Sequence, residues 1–262
     1  MKMDTALLLL AVFSFVALSK SYSVEEKGRK YSDEVDQQYR VYFQDGEDII
    51  SSWHDIPLYD VADSSNQTFN MVVEIPRFSQ AKFEISRDLE LNPIIQDQSH
   101  GVNRYLPNVF PWHGHICNYG AFPQTWENPF LEDIWTGLNG DKDPIDVCEV
   151  GSNPFPTGSV VPVRVLGILG LLDSSETDWK VIVINAEEAR AKDINTMEDL
   201  DKASPNIADT VREFFRYYKV PLGNPENKFA FDGEIRHKDF ALGVLRYDDI
   251  CPISSMIIYL NT

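Results

Sequence analysis

The chain has 262 residues, enough for one large domain, and 43% of them are hydrophobic, enough to fill a core, so a disordered chain is excluded as the default. Acidic residues outnumber basic ones 41 to 23, a formal net charge of −18. Such a surface repels nucleic acid and anionic lipid, and a chain of this charge that handles an anionic substrate needs bridging cations, a local basic cluster, or both.

In chain order, Lys2 precedes an apolar run from Ala6 to Leu18, and small residues follow at Ser19, Ser21 and Ser23. The run is short for a membrane span and holds no Arg before Arg29, so residues 1–21 are expected to be a secretory signal peptide, without a stable membrane anchor. Residues 22–45 are polar and charged and read as a mobile lead-in to a domain covering 46–246. Asn66-Gln67-Thr68 is an acceptor sequon, so Asn66 is a glycosylation site if the chain enters the secretory pathway. Cys117, Cys148 and Cys251 are too few and too scattered for a disulfide framework or a zinc site, and read as buried small hydrophobes.

From Phe69 the texture becomes that of strands. Phe69 to Ile75 is a strand-like run ended by Pro76, and Lys82-Phe83-Glu84-Ile85 alternates polar with apolar. Residues 101–139 are rich in Gly, Pro, Asn and aromatics, which suggests long ordered loops with short strands. Ile145 to Val150 alternates again. Val160 to Leu172 is almost wholly apolar, a buried strand or strand pair, and Trp179 to Ile184 follows after a turn. Helical spacing comes late: Ile207, Val211, Phe214 and Tyr218 share one face between Pro205-Asn206 and Pro221. Lys238 to Arg246 also looks helical, and residues 247–262 form a hydrophobic tail. Strands followed by helices predict a β-rich α+β domain, plausibly a closed barrel with helices packed outside.

The densest chemistry is Gly140-Asp141-Lys142-Asp143-Pro144-Ile145-Asp146, three carboxylates within a few residues, with Pro144 holding Asp143 extended. Carboxylate oxygens are the hard ligands that magnesium prefers, although such a run alone also fits a solvated acidic turn. Asp173 and Asp178 bracket a turn between apolar strands, and Glu74 and Glu84 lie on other strands. Lys82, Arg104, Lys180 and Lys219 interleave with them. Acids and bases gathered at strand ends are what a multi-metal phosphoryl-transfer site requires.

The string Gly140-Asp141-x-Asp143-Pro144-Ile145-Asp146-Val147 resembles the signature of the soluble family I inorganic pyrophosphatases, in their animal and fungal branch. So do Val73-Glu74-Ile75-Pro76-Arg77 with Ala81-Lys82-x-Glu84, Asn118-Tyr119-Gly120-Ala121, Glu176-Thr177-Asp178-Trp179-Lys180 and Tyr218-Lys219. The likeness runs from about residue 38 to residue 246. It implies a closed five-stranded, OB-like barrel with flanking helices, a Mg2+ cofactor and inorganic pyrophosphate as substrate; a homodimer is left open. By the resemblance, Asp141, Asp146 and Asp178 ligate the tightly bound metals, with Asp146 bridging two, and Asp143 is the base acting on the attacking water. Asp173 and Glu84 serve metals that arrive with substrate, and Glu74 acts through coordinated water. Arg104, Lys82, Tyr119, Lys180, Tyr218 and Lys219 hold the phosphates. His115 stands where the family usually has a tyrosine near the attacking water. Either it only packs, or its protonation adds positive charge beside the metals and makes turnover acid-sensitive. The alternative to an enzyme is a weak or inactive secreted binding protein that keeps the fold, and the alternative to secretion is the cytoplasm, usual for the family.

Overall fold

The computed structural model describes residues 20–28, 38–63, 65 and 67–249. Nearly all of the expected signal peptide, the sequon residue Asn66 and nearly all of the hydrophobic tail lie outside the described residues. In chain order the strands are β1 (Ser23–Lys27), β2 (Arg40–Asp45), β3 (Asp48–Ile50), β4 (Phe69–Ile75), β5 (Phe83–Ile85), β6 (Ile94–Gln96), β7 (Gln98–Ser99), β8 (Val102–Asn103), β9 (Asn118–Ala121), β10 (Asp146–Glu149), β11 (Val160–Asp173) and β12 (Glu176–Asn185). Helices α1 (Met197–Ala203) and α2 (Ile207–Tyr217) follow, then the short strands β13 (Lys228–Phe229) and β14 (Arg236–His237) and helix α3 (Lys238–Asp249). The fold is β-rich with few helices, as expected.

Five strands pair in a ring: β4 with β9, β9 with β10, β10 with β12, β12 with β11, and β11 back to β4. Period-two alternation sends neighbouring residues of each strand into different clusters. Val147, Val181 and Val183 join one cluster with Phe69 and Met71, capped by Ala241, Val244 and Leu245 of α3. Cys148, Ile182 and Ile184 join another with Val211, Phe214 and Phe215 of α2. Along β11 the alternation would fail after Val165, which packs in the first cluster as Ile168 does. A register shift between Val165 and Gly167 resolves this, because the extra residue, Leu166, faces the second cluster. The apolar run from Val160 is therefore one long strand, buried on both faces from Val165 to Leu171.

Gly120 has no room for a side chain: a Cβ there would lie 1.9 Å from the Val72 carbonyl oxygen, which lets β9 press against β4. Three features depart from what the sequence led us to expect. Residues 22–45 are not a simple lead-in, since β1 and β2 pair within a second sheet completed by β3, β6 and β5. Tyr39, Val41 and Phe43 are buried there with Phe83, Ile85 and Ile94, so alternation in Arg40–Asp45 carries core residues through a polar segment. Helix α1, not expected from the sequence, starts at Thr196, whose hydroxyl accepts the Asp199 N–H.

The third departure concerns the cysteines. Cys117 and Cys148 are fully buried and joined in a disulfide, their Cα atoms 5.5 Å apart, because β9 and β10 lie side by side. The bond closes a loop between residues 31 apart in sequence, which by chain entropy stabilises the fold by roughly 3–4 kcal/mol. A variant with both cysteines replaced by Ala is expected to unfold at correspondingly lower denaturant. The parent chain treated with reductant under partial denaturation should approach the same midpoint, and no change in either would mean that the thiols are free.

Candidate active site

The ends of β4, β9, β10, β11 and β12 open toward the second sheet, and between them lies one cleft. Its lining contains Glu74, Lys82, Glu84, Arg104, Tyr119, Asp141, Asp143, Asp146, Asp173, Asp178, Lys180, Tyr218 and Lys219. Every catalytic, metal and phosphate position expected from the sequence is thus brought to one place. His115 is not among the lining residues. The placements follow from local structure. Asp146 opens β10, Asp173 closes β11, and Asp178 and Lys180 alternate on β12, so pairs far apart in sequence become neighbours. Asp146 is directly in register with Lys180. Tyr218 and Lys219 follow the last turn of α2, which is held by Phe214 and Phe215.

Lys180 is 2% exposed, and its ammonium donates to Asp146, Asp178 and, at 2.9 Å, the Tyr119 hydroxyl. Burial alone would lower its pKa, but the two carboxylates hold the ammonium well above its ordinary value. Burial likewise raises the Asp178 carboxyl well above the usual range, against the opposing pull of Lys180. Burial also raises Asp141, with Asp146 adding repulsion, and Asp143 is pushed up to about 7 by burial and by Asp141. Arg87 opposes that shift from 3.0 Å. Glu74, 4% exposed, is raised by burial and by Asp146 while its Oε1 accepts the Ile85 N–H at 2.6 Å, which ties β4 to β5. At the other side Lys219 donates to Asp173. Burial would raise Asp173, but the bonded ammonium holds its carboxyl below the usual range.

Sequence reasoning missed three residues. Asp97 accepts from both Lys82 and Arg104, each at 2.6 Å, and so aims two cations into the cleft. Its signal was faint, one acid after the apolar Ile94-Ile95 pair. Arg87 faces Asp143, and nothing in its polar surroundings marks it. Glu127 is 3% exposed, and its carboxylate lies with those of Asp141 and Asp178 inside a group whose ligand atoms are all within 4.8 Å of one another. An acid set among Phe122, Trp126 and Phe130 was the available sign, hidden in what read as a loop. An all-oxygen donor set of carboxylates raised together by burial and mutual repulsion suits a hard divalent cation, which would return them to the ionised form.

His115 does not reach the cleft. It is 2% exposed, tilted against Tyr119 at 4.4 Å and edge-on to Phe214 at 5.0 Å, with its Nδ1 3.2 Å from the Cys117 carbonyl oxygen. Burial lowers its pKa to about 3, which favours a neutral ring and, of the two alternatives the sequence leaves open, the one in which it only packs. Its effect belongs to stability instead. A pKa depressed on folding contributes stability that is complete above the unfolded value of 6.5 and is lost as pH falls toward 3. At pH 4.5 the loss is roughly 3 kcal/mol, two units at about 1.4 kcal/mol each. Denaturant unfolding at pH 7 and pH 4.5 should therefore show a smaller acid loss in His115→Phe than in the parent, and equal losses would mean that the ring protonates in place.

Comparison with known proteins agrees with this geometry. A family model described as inorganic pyrophosphatase matches residues 71–248. The inorganic pyrophosphatase of Eremothecium gossypii is 48% identical over 226 residues, 86% of this chain and 77% of that protein. Inorganic pyrophosphatase 2, mitochondrial, of Mus musculus is 48% identical over 238 residues, 86% of this chain and 71% of that protein. Among solved structures, the inorganic pyrophosphatase of Schistosoma japonicum superimposes with a TM-score of 0.82 at 47% identity, covering 87% of this chain and 78% of that one. A truncated vacuolar soluble pyrophosphatase of Trypanosoma cruzi, solved in complex with PPi, does so with a TM-score of 0.80 at 35% identity, covering 95% and 96%. With fold, cleft and sequence in agreement, the chain belongs to the inorganic pyrophosphatase family.

Proposed function

We propose that the protein hydrolyses inorganic pyrophosphate to two phosphates with magnesium as its cation. The observation that carries this is the charge of the cleft: seven carboxylates line it against four cationic side chains. A polyanion would be repelled from such a cleft unless divalent cations came with it, and oxygen-only donors favour magnesium. Bound magnesium supplies neutralisation of the phosphate oxygens and a water of lowered pKa.

The residues then divide by position. Asp141, Asp146 and Asp178 would hold the tightly bound cations, and Asp146, which is also bonded to Lys180, would be shared by two of them. Asp173 and Glu84, at the more open side, hold cations that enter with substrate. Glu74, engaged by the Ile85 N–H, acts through water. Asp143, raised to about 7, takes the proton from the attacking water, since a base poised near the working pH is most effective. Lys82 and Arg104, both aimed by Asp97, hold phosphate oxygens together with Lys180, Lys219, Tyr119 and Tyr218. The two tyrosines keep their protons, raised above the usual range by burial, and so remain hydrogen-bond donors.

We further infer that the protein works in the secretory pathway. The apolar leader and the buried Cys117–Cys148 disulfide support this reading independently, because such bonds persist in oxidising compartments. Among the described residues no helix is long and apolar enough to cross a membrane. The deciding experiment is phosphate release from pyrophosphate by the secreted chain, with magnesium and then with a chelator. Release that stops on chelation is expected. A folded chain that binds magnesium and releases no phosphate would instead be a binding protein that keeps the fold.

A further inference from the structure

We propose that residues 253–260 of this chain dock on the loop formed by residues 128–139, over the side chains of Leu131 and Ile134. The loop lies in the connection from β9 to β10 and leads into Gly140 and Asp141. It is built to keep one shape. Asp133 Oδ1 accepts the N–H groups of Trp135 and Thr136, each at 2.8 Å, and Asp133 Oδ2 accepts the Trp179 indole N–H at 3.0 Å. The Asp133 N–H donates to the Leu138 carbonyl at 2.9 Å, and the Thr136 and Thr177 hydroxyls are 2.6 Å apart. These bonds tie the loop to β12 and fix which side chains face water. Leu131 is 49% exposed and Ile134 64%, with Phe130 beside them at 63%. Large apolar side chains gathered within five residues, on a loop bonded into place, mark an interaction surface rather than scattered exposure.

The chain itself carries the occupant that fits. Residues 250–262 contain no charged side chain, and Ile253, Met256, Ile257, Ile258, Tyr259 and Leu260 make them strongly apolar. They continue from the C-terminal end of α3, and α3 already touches the base of the loop. The ring of Phe240 lies 5.4 Å from that of Trp135, and both pack against Trp179. From Phe240 to Asp249 the helix runs about 14 Å at about 1.5 Å per residue, a span that about four extended residues retrace. Residues 250–253 therefore suffice to return to the loop, and the densest apolar stretch comes next. Charge decides against other occupants. Glu132 and Asp133 stand in the loop and the whole chain carries −18, so a second copy or an anionic lipid surface meets like charge, whereas the side chains of the tail bring none.

The test compares full-length variants by thermal unfolding, light scattering and hydrogen exchange. Leu131→Ser with Ile134→Ser, and separately Ile257→Ser with Ile258→Ser, are each expected to lower the melting temperature by a few degrees at unchanged particle mass. The chain with all four substitutions should lose little more than the more damaging pair alone, because both pairs remove the same contact. Amide exchange in residues 130–138 should quicken in the tail pair, which alters no residue of the loop. A tail pair as stable as the parent, losses that add in full, or loop exchange unchanged by the tail pair would each overturn the proposal. A fall in particle mass confined to the loop pair would also overturn it, and would give this face to a second copy of the chain.

Discussion

Replacing Asp143 by Asn is expected to cut turnover by about 10²–10⁴-fold, the range attributed to a positioned acid or base, while tight cation binding persists. The substitution keeps the shape and the contact to Arg87 but removes the carboxylate that accepts the proton. Asp143 suits the task for a physical reason. Its N–H donates to Asp141 Oδ1 at 2.9 Å, which fixes the loop, and burial together with Asp141 pushes its pKa up to about 7. The sign of the pH effect follows. Activity in the parent should fall as pH drops through the pKa of this carboxyl and rise above it, and bound cations shift that limb to lower pH. The Asn variant should lack the limb. A steady-state profile of kcat/KM against pH for both proteins is the check, and an Asn variant within a few-fold of the parent would assign the base elsewhere.

The second large effect concerns Asp146. Asp146→Ala should lower turnover by more than about 100-fold, beyond the effect of an outer supporting residue, and raised magnesium should not restore it. Asp146 stands at the start of β10, lines the cleft with Asp141 and Asp178, and is bonded to the buried Lys180. Its loss disturbs two cations and leaves Lys180 with Asp178 as its remaining carboxylate partner, so a lower melting temperature should accompany the lost activity. Asp173→Ala should behave differently. Asp173 is a quarter exposed at the end of β11 and, among the described residues, forms an ion pair only with Lys219. Its turnover should return substantially as magnesium is raised. Turnover measured against magnesium for both variants separates them, and equal rescue would remove Asp146 from the bridging role.

The strand reading succeeded where burial is periodic in the chain itself. Alternation from Ile145 to Val150 is visible because that strand packs different partners on its two faces, and the almost wholly apolar run from Val160 to Leu172 marks a strand whose second half is buried on both. The site was legible for a related reason. Acids such as Asp146, Asp173 and Asp178 sit at the ends of apolar strands, where isolated carboxylates are hard to explain without a cation. Short β1 and β2 were not legible, since three buried side chains in a polar stretch, Tyr39, Val41 and Phe43, give too little period to recognise.

By itself, the sequence determined the β-rich class, the set of acidic and basic side chains and their order along the chain, because those depend on local pattern and residue chemistry. Only the tertiary structure decided what lies against what. It joined Cys117 to Cys148 across neighbouring strands, set Asp97 between Lys82 and Arg104, and brought Glu127 to Asp141 and Asp178. It also set His115, whose ring could be a charged neighbour of the site or a packed one on sequence alone, among aromatic rings. Burial against Tyr119, Phe214 and Phe215 strips the imidazole of the water that would stabilise its charge, and no residue adjacent to it in sequence foretells that.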